Sequence, residues 1–154
     1  MDRGRLAHQA ICFDIAGDLD EDSAREAGVF GYVEAARAVR AALGVLIADA
    51  VEHHAVHERL GYQGTIDLVA GDMIVDWKTG TAEYWVRFQL AAYAALLEQE
   101  GAGAAKFRRI AAELHQDGSY RLFEIPQSEW LEDFQTFCAA LRIYREKTNR
   151  RALR

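Results

Sequence analysis

Residues 61–80 read Gly61-Tyr62-Gln63-Gly64-Thr65-Ile66-Asp67-Leu68-Val69-Ala70-Gly71-Asp72-Met73-Ile74-Val75-Asp76-Trp77-Lys78-Thr79-Gly80. Two runs here, 62–69 and 73–78, have strand character, and Gly71-Asp72 between them has turn character. Glycine supplies the positive φ that a type II′ turn requires at its first central position. A two-residue turn at this point sets Ala70 opposite Met73, and continued pairing brings Asp67 opposite Asp76. Both carboxylates then leave one face of the hairpin, with Cβ atoms roughly 4.5–5.5 Å apart. Side chains alternate, so Lys78 shares the face of Asp76. Ile66, Leu68, Val75 and Trp77 take the opposite face and can form core.

Like charges directly opposite each other destabilise a sheet. A hairpin that carries such a pair beside apolar neighbours calls for counter-charge. Lys78 supplies one positive charge and a divalent cation supplies two. Two carboxylates are a usual protein share of a Mg²⁺ site.

Outward from the hairpin, helix and strand periods alternate along the chain. A helix is expected over 4–12 and a loop from Gly17 to Asp22. Ser23 is the expected cap of a long helix carrying Val29, Tyr32, Val33, Ala36, Val39 and Leu43, ended by Gly44. Residues 45–57 read as a strand. Residues 81–99 return to helical period and stop at Gly101. Residues 107–115 and 119–125 read as a hairpin around Asp117-Gly118, a type I′ signal. Pro126 ends that strand, and Ser128 is the expected cap of a last helix over 128–147. Five strands with flanking helices fit a mixed α/β sheet covered by helices.

The chain has 154 residues, with 18 Lys and Arg against 24 Asp and Glu, for a net charge of −6. That length and balance predict one globular domain over 1–154, soluble and cytoplasmic. No apolar run approaches the roughly 18 residues of a membrane span. Cys12 and Cys138 lie far apart without a CxxC partner, so neither a disulfide framework nor a structural zinc site organises the chain. Net negative charge has the wrong sign for bulk attraction to phosphate. Acids crowd residues 14–26. Residues 142–154 carry Arg142, Arg145, Lys147, Arg150, Arg151 and Arg154 against Glu146 alone. That basic end suits either a local phosphate contact or a solvated helix terminus. His53, His54 and His57 do not converge on one strand face, which disfavours zinc.

Gly64-Thr65-Ile66-Asp67, Asp76-Trp77-Lys78-Thr79-Gly80 and Gln89-Leu90-Ala91-Ala92-Tyr93, in this order and spacing, resemble the motifs of the PD-(D/E)xK nuclease superfamily. The likeness is to the branch of RecB-type nuclease domains, λ-exonuclease-like phage enzymes and CRISPR-adaptation nucleases. It covers residues 52–93 closely and reaches loosely to Arg3-Gly4-Arg5-Leu6-Ala7-His8, which resembles the upstream helix where these families often place a metal-binding His. The first motif departs from the family pattern in having Gly-Thr-Ile-Asp where others have Pro-Asp.

The resemblance implies a restriction-endonuclease-like fold and metal-dependent hydrolysis of DNA. The implied role is an exonuclease or end-processing enzyme of phage or prophage recombination or repair. Asp67 and Asp76 would ligate Mg²⁺ or Mn²⁺, with the Trp77 backbone carbonyl and His8 as further ligands. Lys78 would hold or activate the attacking water. Glu52 is either a second carboxylate of the site or a surface charge. Gln89 would join the metal-site network or a DNA phosphate, and Tyr93 would orient that network. Lys106, Arg108 and Arg109 would meet the DNA backbone or lie in a solvated loop and strand edge. The implied partner is DNA, single- or double-stranded and engaged at ends, with no membrane. A homo-oligomer or a recombination partner protein stays open, as do an endonuclease of the same fold, action on RNA, and a catalytically silent nucleic-acid-binding subunit. An acidic Ca²⁺ module lacks an EF-hand loop and leaves Lys78 without a purpose.

Overall fold

The structure, a computed structural model, describes residues 3–99 and 103–151. Its elements run α1 (Arg3–Ala16), α2 (Glu21–Glu26), α3 (Phe30–Ala42), β1 (Ala50–His57), β2 (Tyr62–Ala70), β3 (Met73–Lys78), α4 (Val86–Gln99), β4 (Arg108–Leu114), β5 (Tyr120–Ile125) and α5 (Trp130–Arg151). The strands form one mixed sheet in chain order, antiparallel except for β3 with β4. A parallel pair needs a crossover, which α4 supplies. Among the described residues no helix is long and apolar enough to cross a membrane.

Both faces of the sheet are covered, so β3 and β4 read as near-continuous apolar runs rather than alternating ones. Leu68, Val75, Trp77, Ile110 and Ala112 pack against α1 and α3. Ile66, Val69, Ile74 and Ala111 pack beneath α4. Asp14, on α1, accepts hydrogen bonds from Arg37 Nε at 2.8 Å and Arg40 Nη2 at 2.6 Å, which ties α1 onto α3. The acid-rich stretch is therefore partly spent on fixing helices.

Several expected boundaries move, each for a local reason. The helix expected after Ser23 is two helices. Asp20 caps α2 by accepting from the Asp22 and Ser23 amides. Gly28 then takes φ +69°, donating to Arg25 O while Val29 donates to Ala24 O, a Schellman stop. The strand expected from residue 45 begins at Ala50, because in the β1–β2 register residues 45–48 have only the Gly71-Asp72 turn opposite them. Residues 81–85 form a connection ahead of α4, and Ala82 donates to the Glu113 carboxylate at 2.9 Å. The β4–β5 hairpin has a three-residue loop instead of type I′. Only Gly118 there has positive φ, and its amide closes a turn on His115 O at 3.1 Å. A short 3₁₀ turn, Gln127–Glu129, precedes α5, so Ser128 caps nothing. The helix stop expected at Gly101 lies outside the described residues.

Candidate active site

The turn at Gly71-Asp72 forms as expected, with Gly71 at φ +59° and Ala70 paired to Met73. Pairing continues to Leu68 with Val75 and stops there. Asp67 does not take its place in the β2–β3 ladder. Its Oδ2 instead accepts the Trp77 amide at 2.7 Å. On the other side, Glu52 should face Asp67 in the β1–β2 register, and that pair is also missing. Glu52 has φ +49°, the one positive value at a non-glycine among the described residues. Holding an L-residue there costs roughly 1–2 kcal/mol. The alternation slips at this point. Ile66 and Val69, three apart, lie on the same face under α4, whereas Leu68 lies on the other. The expected grouping of Ile66 with Leu68 is thereby corrected.

The slip brings Glu52 and Asp67 to α1. His8 Nδ1 lies 3.2 Å from Asp67 Oδ1 and 3.9 Å from Glu52 Oε1. His8, Glu52 and Asp67 each offer a ligand atom within 4.8 Å of the others. Burial alone would lower the His8 imidazole, but its hydrogen bond to Asp67 and the charges of Asp67, Glu52 and Asp76 outweigh it and hold it above its ordinary value. Burial raises the Glu52 carboxyl, with the Asp67 charge adding to it.

Asp76 and Lys78 form a second, adjoining network. Lys78 Nζ sits 2.6 Å from Asp76 Oδ2, a close charge-assisted pair. Gln89 donates from Nε2 to Asp76 Oδ1 at 3.1 Å and to Tyr93 OH at 2.7 Å. Its Oε1 accepts from Lys78 Nζ at 3.2 Å. The amide is thus satisfied at both ends, as a half-buried amide requires. Asp76 is pushed up to about 6, by burial first and the Asp67 charge second, with Lys78 opposing. Tyr93 is raised to about 12, chiefly by burial. Gly64 makes room for this arrangement, because a Cβ there would stand 2.7 Å from the Tyr93 ring.

Seven of the expected site residues, His8, Glu52, Asp67, Asp76, Lys78, Gln89 and Tyr93, therefore meet in one place, with the Trp77 amide tied to Asp67. Three others do not. Arg109 is fully buried, bound to Asp133 at 2.8 Å and to Pro126 O at 2.9 Å, so it cannot meet a DNA backbone. Arg108 is opposite Met73, at the far end of β3 from Lys78, and is paired with Glu124. Lys106 precedes it at that same end. Parallel pairing puts the start of β4 beside the start of β3, away from the carboxylates. Glu113 was not anticipated. It is buried, level with Lys78 in register, and holds the Ala82 amide. An acid inside Ile110-Ala111-Ala112-Glu113-Leu114 is the signal that could have marked it.

No family model matches the sequence, and no curated protein matches it. In structure the chain is similar to a solved protein from Eubacterium rectale, provisionally named an exonuclease, at TM-score 0.65 and 14% identity, over 97% of this chain and 69% of that one. Likeness at that identity establishes a shared fold.

Proposed function

We propose that the chain is a divalent-metal-dependent nuclease that hydrolyses DNA phosphodiester bonds, acting at strand ends. The observation that carries this is the convergence of Glu52 of β1, Asp67 of β2, and Asp76 and Lys78 of β3 with His8 of α1. The exonuclease name given to the protein of similar fold agrees with it.

The residues fit a cation. Three carboxylates face at most two positive side chains, His8, Glu52 and Asp67 converge their donor atoms, and burial pushes both Asp76 and Glu52 upward. His8, Glu52 and Asp67 would hold Mg²⁺ or Mn²⁺, with Asp76 and the Trp77 carbonyl as further oxygen donors. A bound cation would supply Lewis-acid polarisation of the phosphoryl group and charge neutralisation. Lys78, aligned by Asp76 and Gln89, presents its ammonium to a non-bridging phosphate oxygen and steadies a water beside it. Gln89 and Tyr93 fix the Asp76 carboxylate and keep Lys78 from swinging away.

The test uses end-labelled linear, nicked and circular DNA, single- and double-stranded, with Mg²⁺, Mn²⁺ or EDTA. Cleavage should need a metal and a free end. Lys78→Ala should slow it by about 10²–10³, because one donor to developing charge is lost. DNA affinity should change far less, since one phosphate contact alters the salt slope by only about one unit. Cleavage by Lys78→Ala within a few-fold of the parent would remove Lys78 from the chemistry. A parent that binds DNA and cleaves nothing would favour a silent binding subunit.

A further inference from the structure

A groove of about 390 Å³ opens beside the carboxylate site, between β2, α4 and α5. Gln89 and Tyr93 belong to both the site and the groove wall. Trp85 stands at the junction, 55% exposed, with Lys78 Nζ 5.6 Å from its ring centroid. Phe88, Tyr62 and Phe137 continue the lining, and Phe137 meets the Tyr62 ring edge-on at 4.8 Å. Ala140 carries the groove along α5. Tyr144 follows it by four residues and Phe137 by seven, which keeps it on the same helix row about 10 Å further on. Its side chain is 68% exposed. Arg145 and Lys147 flank Tyr144 on either side of that row. Arg145 also donates to the carbonyls of Leu60 and Gly61, which pins α5 to the β1–β2 turn.

We infer that this groove binds an unpaired strand of nucleic acid and leads it to the carboxylate site. The inference rests on the nuclease reading and names the form of its substrate. Rings at Trp85, Phe137 and Tyr144 give unpaired bases faces to stack on, and Lys78 at one end with Arg145 and Lys147 at the other meet the phosphates between them. A row of rings with cations at both ends suits a single strand, because every base has a π-face and every linkage a negative charge. A duplex hides its base faces and gains nothing from the rings. An apolar peptide would use the rings and leave the cations idle. Arg142, Arg145 and Lys147 against Glu146 leave this stretch of α5 net basic in a chain that is negative overall.

The test is fluorescence anisotropy with the full chain in EDTA, where hydrolysis does not proceed, at fixed salt. The probes are labelled oligothymidylate, an abasic phosphodiester oligomer of equal length, and a blunt duplex. Oligothymidylate should bind about tenfold more tightly than the abasic oligomer, from the usual scale of base–aromatic stacking. Tyr144→Ala and Trp85→Ala should each remove much of that advantage and leave abasic binding unchanged, and Tyr144→Phe should restore it. Tyr144 is exposed, so its variants should melt with the parent. Equal affinity for all three probes, or both alanine variants binding as the parent does, would overturn the groove assignment even where Mn²⁺-dependent cleavage is present. Base-dependent binding without cleavage in either metal would overturn the hydrolytic reading and leave the groove standing.

Discussion

At the scale of single residues, the carboxylates oppose folding until something neutralises them. Asp76 is the clearest case. In metal-free protein the folded state holds its proton more tightly than the unfolded chain, about 6 against the ordinary 3.8. Its stabilising contribution is therefore complete below the lower value and is lost as pH rises through the higher one. Chemical denaturation in EDTA should show the stability of the parent relative to Asp76→Asn falling by at most roughly 3 kcal/mol across that window. A difference that stays flat with pH would refute the burial of an ionised Asp76. Residue types and spacing were enough to pick out Asp67, Asp76 and Lys78 as candidates, and a hairpin turn with a period of two places Asp76 and Lys78 on one face; Asp67 was expected opposite Asp76 in the ladder and instead leaves it to accept the Trp77 amide. Glu52 and His8 could not be placed that way. Their meeting depends on a left-handed backbone at Glu52 and on how α1 lies across the sheet.

At the scale of elements, buried ion pairs decide where helices sit. Asp133 of α5 is buried and takes Arg109 of β4 at 2.8 Å and Arg87 of α4 at 2.6 Å. Removing it leaves Arg109 charged, enclosed and unpaired, a loss of the kind that costs about 3–5 kcal/mol. Asp133→Ala should accordingly unfold at clearly lower denaturant, while Arg108→Ala, whose partner Glu124 is at the surface, should cost less than about 1 kcal/mol. Equal effects of the two would show that the buried network contributes nothing special. Element type was legible from period for the five strands and for α1, α4 and α5, while the single helix expected after Ser23 is two. Boundaries were less so, because they depend on partners. Residues 45–48 have strand composition but no opposing strand, and Ser23 and Ser128 are cap residues at positions where the chain uses Asp20 and a 3₁₀ turn.

At the scale of the whole molecule, a cation held by α1, β1 and β2 would couple the helix that carries His8 to the sheet that carries the carboxylates. Ligand that binds only the folded state stabilises by about 2.7 kcal/mol at 100 times Kd. For a chain of this size that corresponds to roughly 5–10 °C in Tm. Thermal unfolding in Mn²⁺ should rise by that order, and Asp67→Asn should abolish the rise; an equal rise in both proteins would place the cation elsewhere. By itself the sequence determined the order of the strands, the β2–β3 register from Ala70–Met73 to Leu68–Val75 and the face shared by Asp76 and Lys78, since these follow from local period and one glycine turn. Tertiary structure alone decided the slip at Glu52 and Asp67, the arrival of His8, the burial of Arg109 and the groove against α5. Each depends on which surface lies opposite, and contacts between residues far apart in the chain carry no local pattern that period or propensity can express.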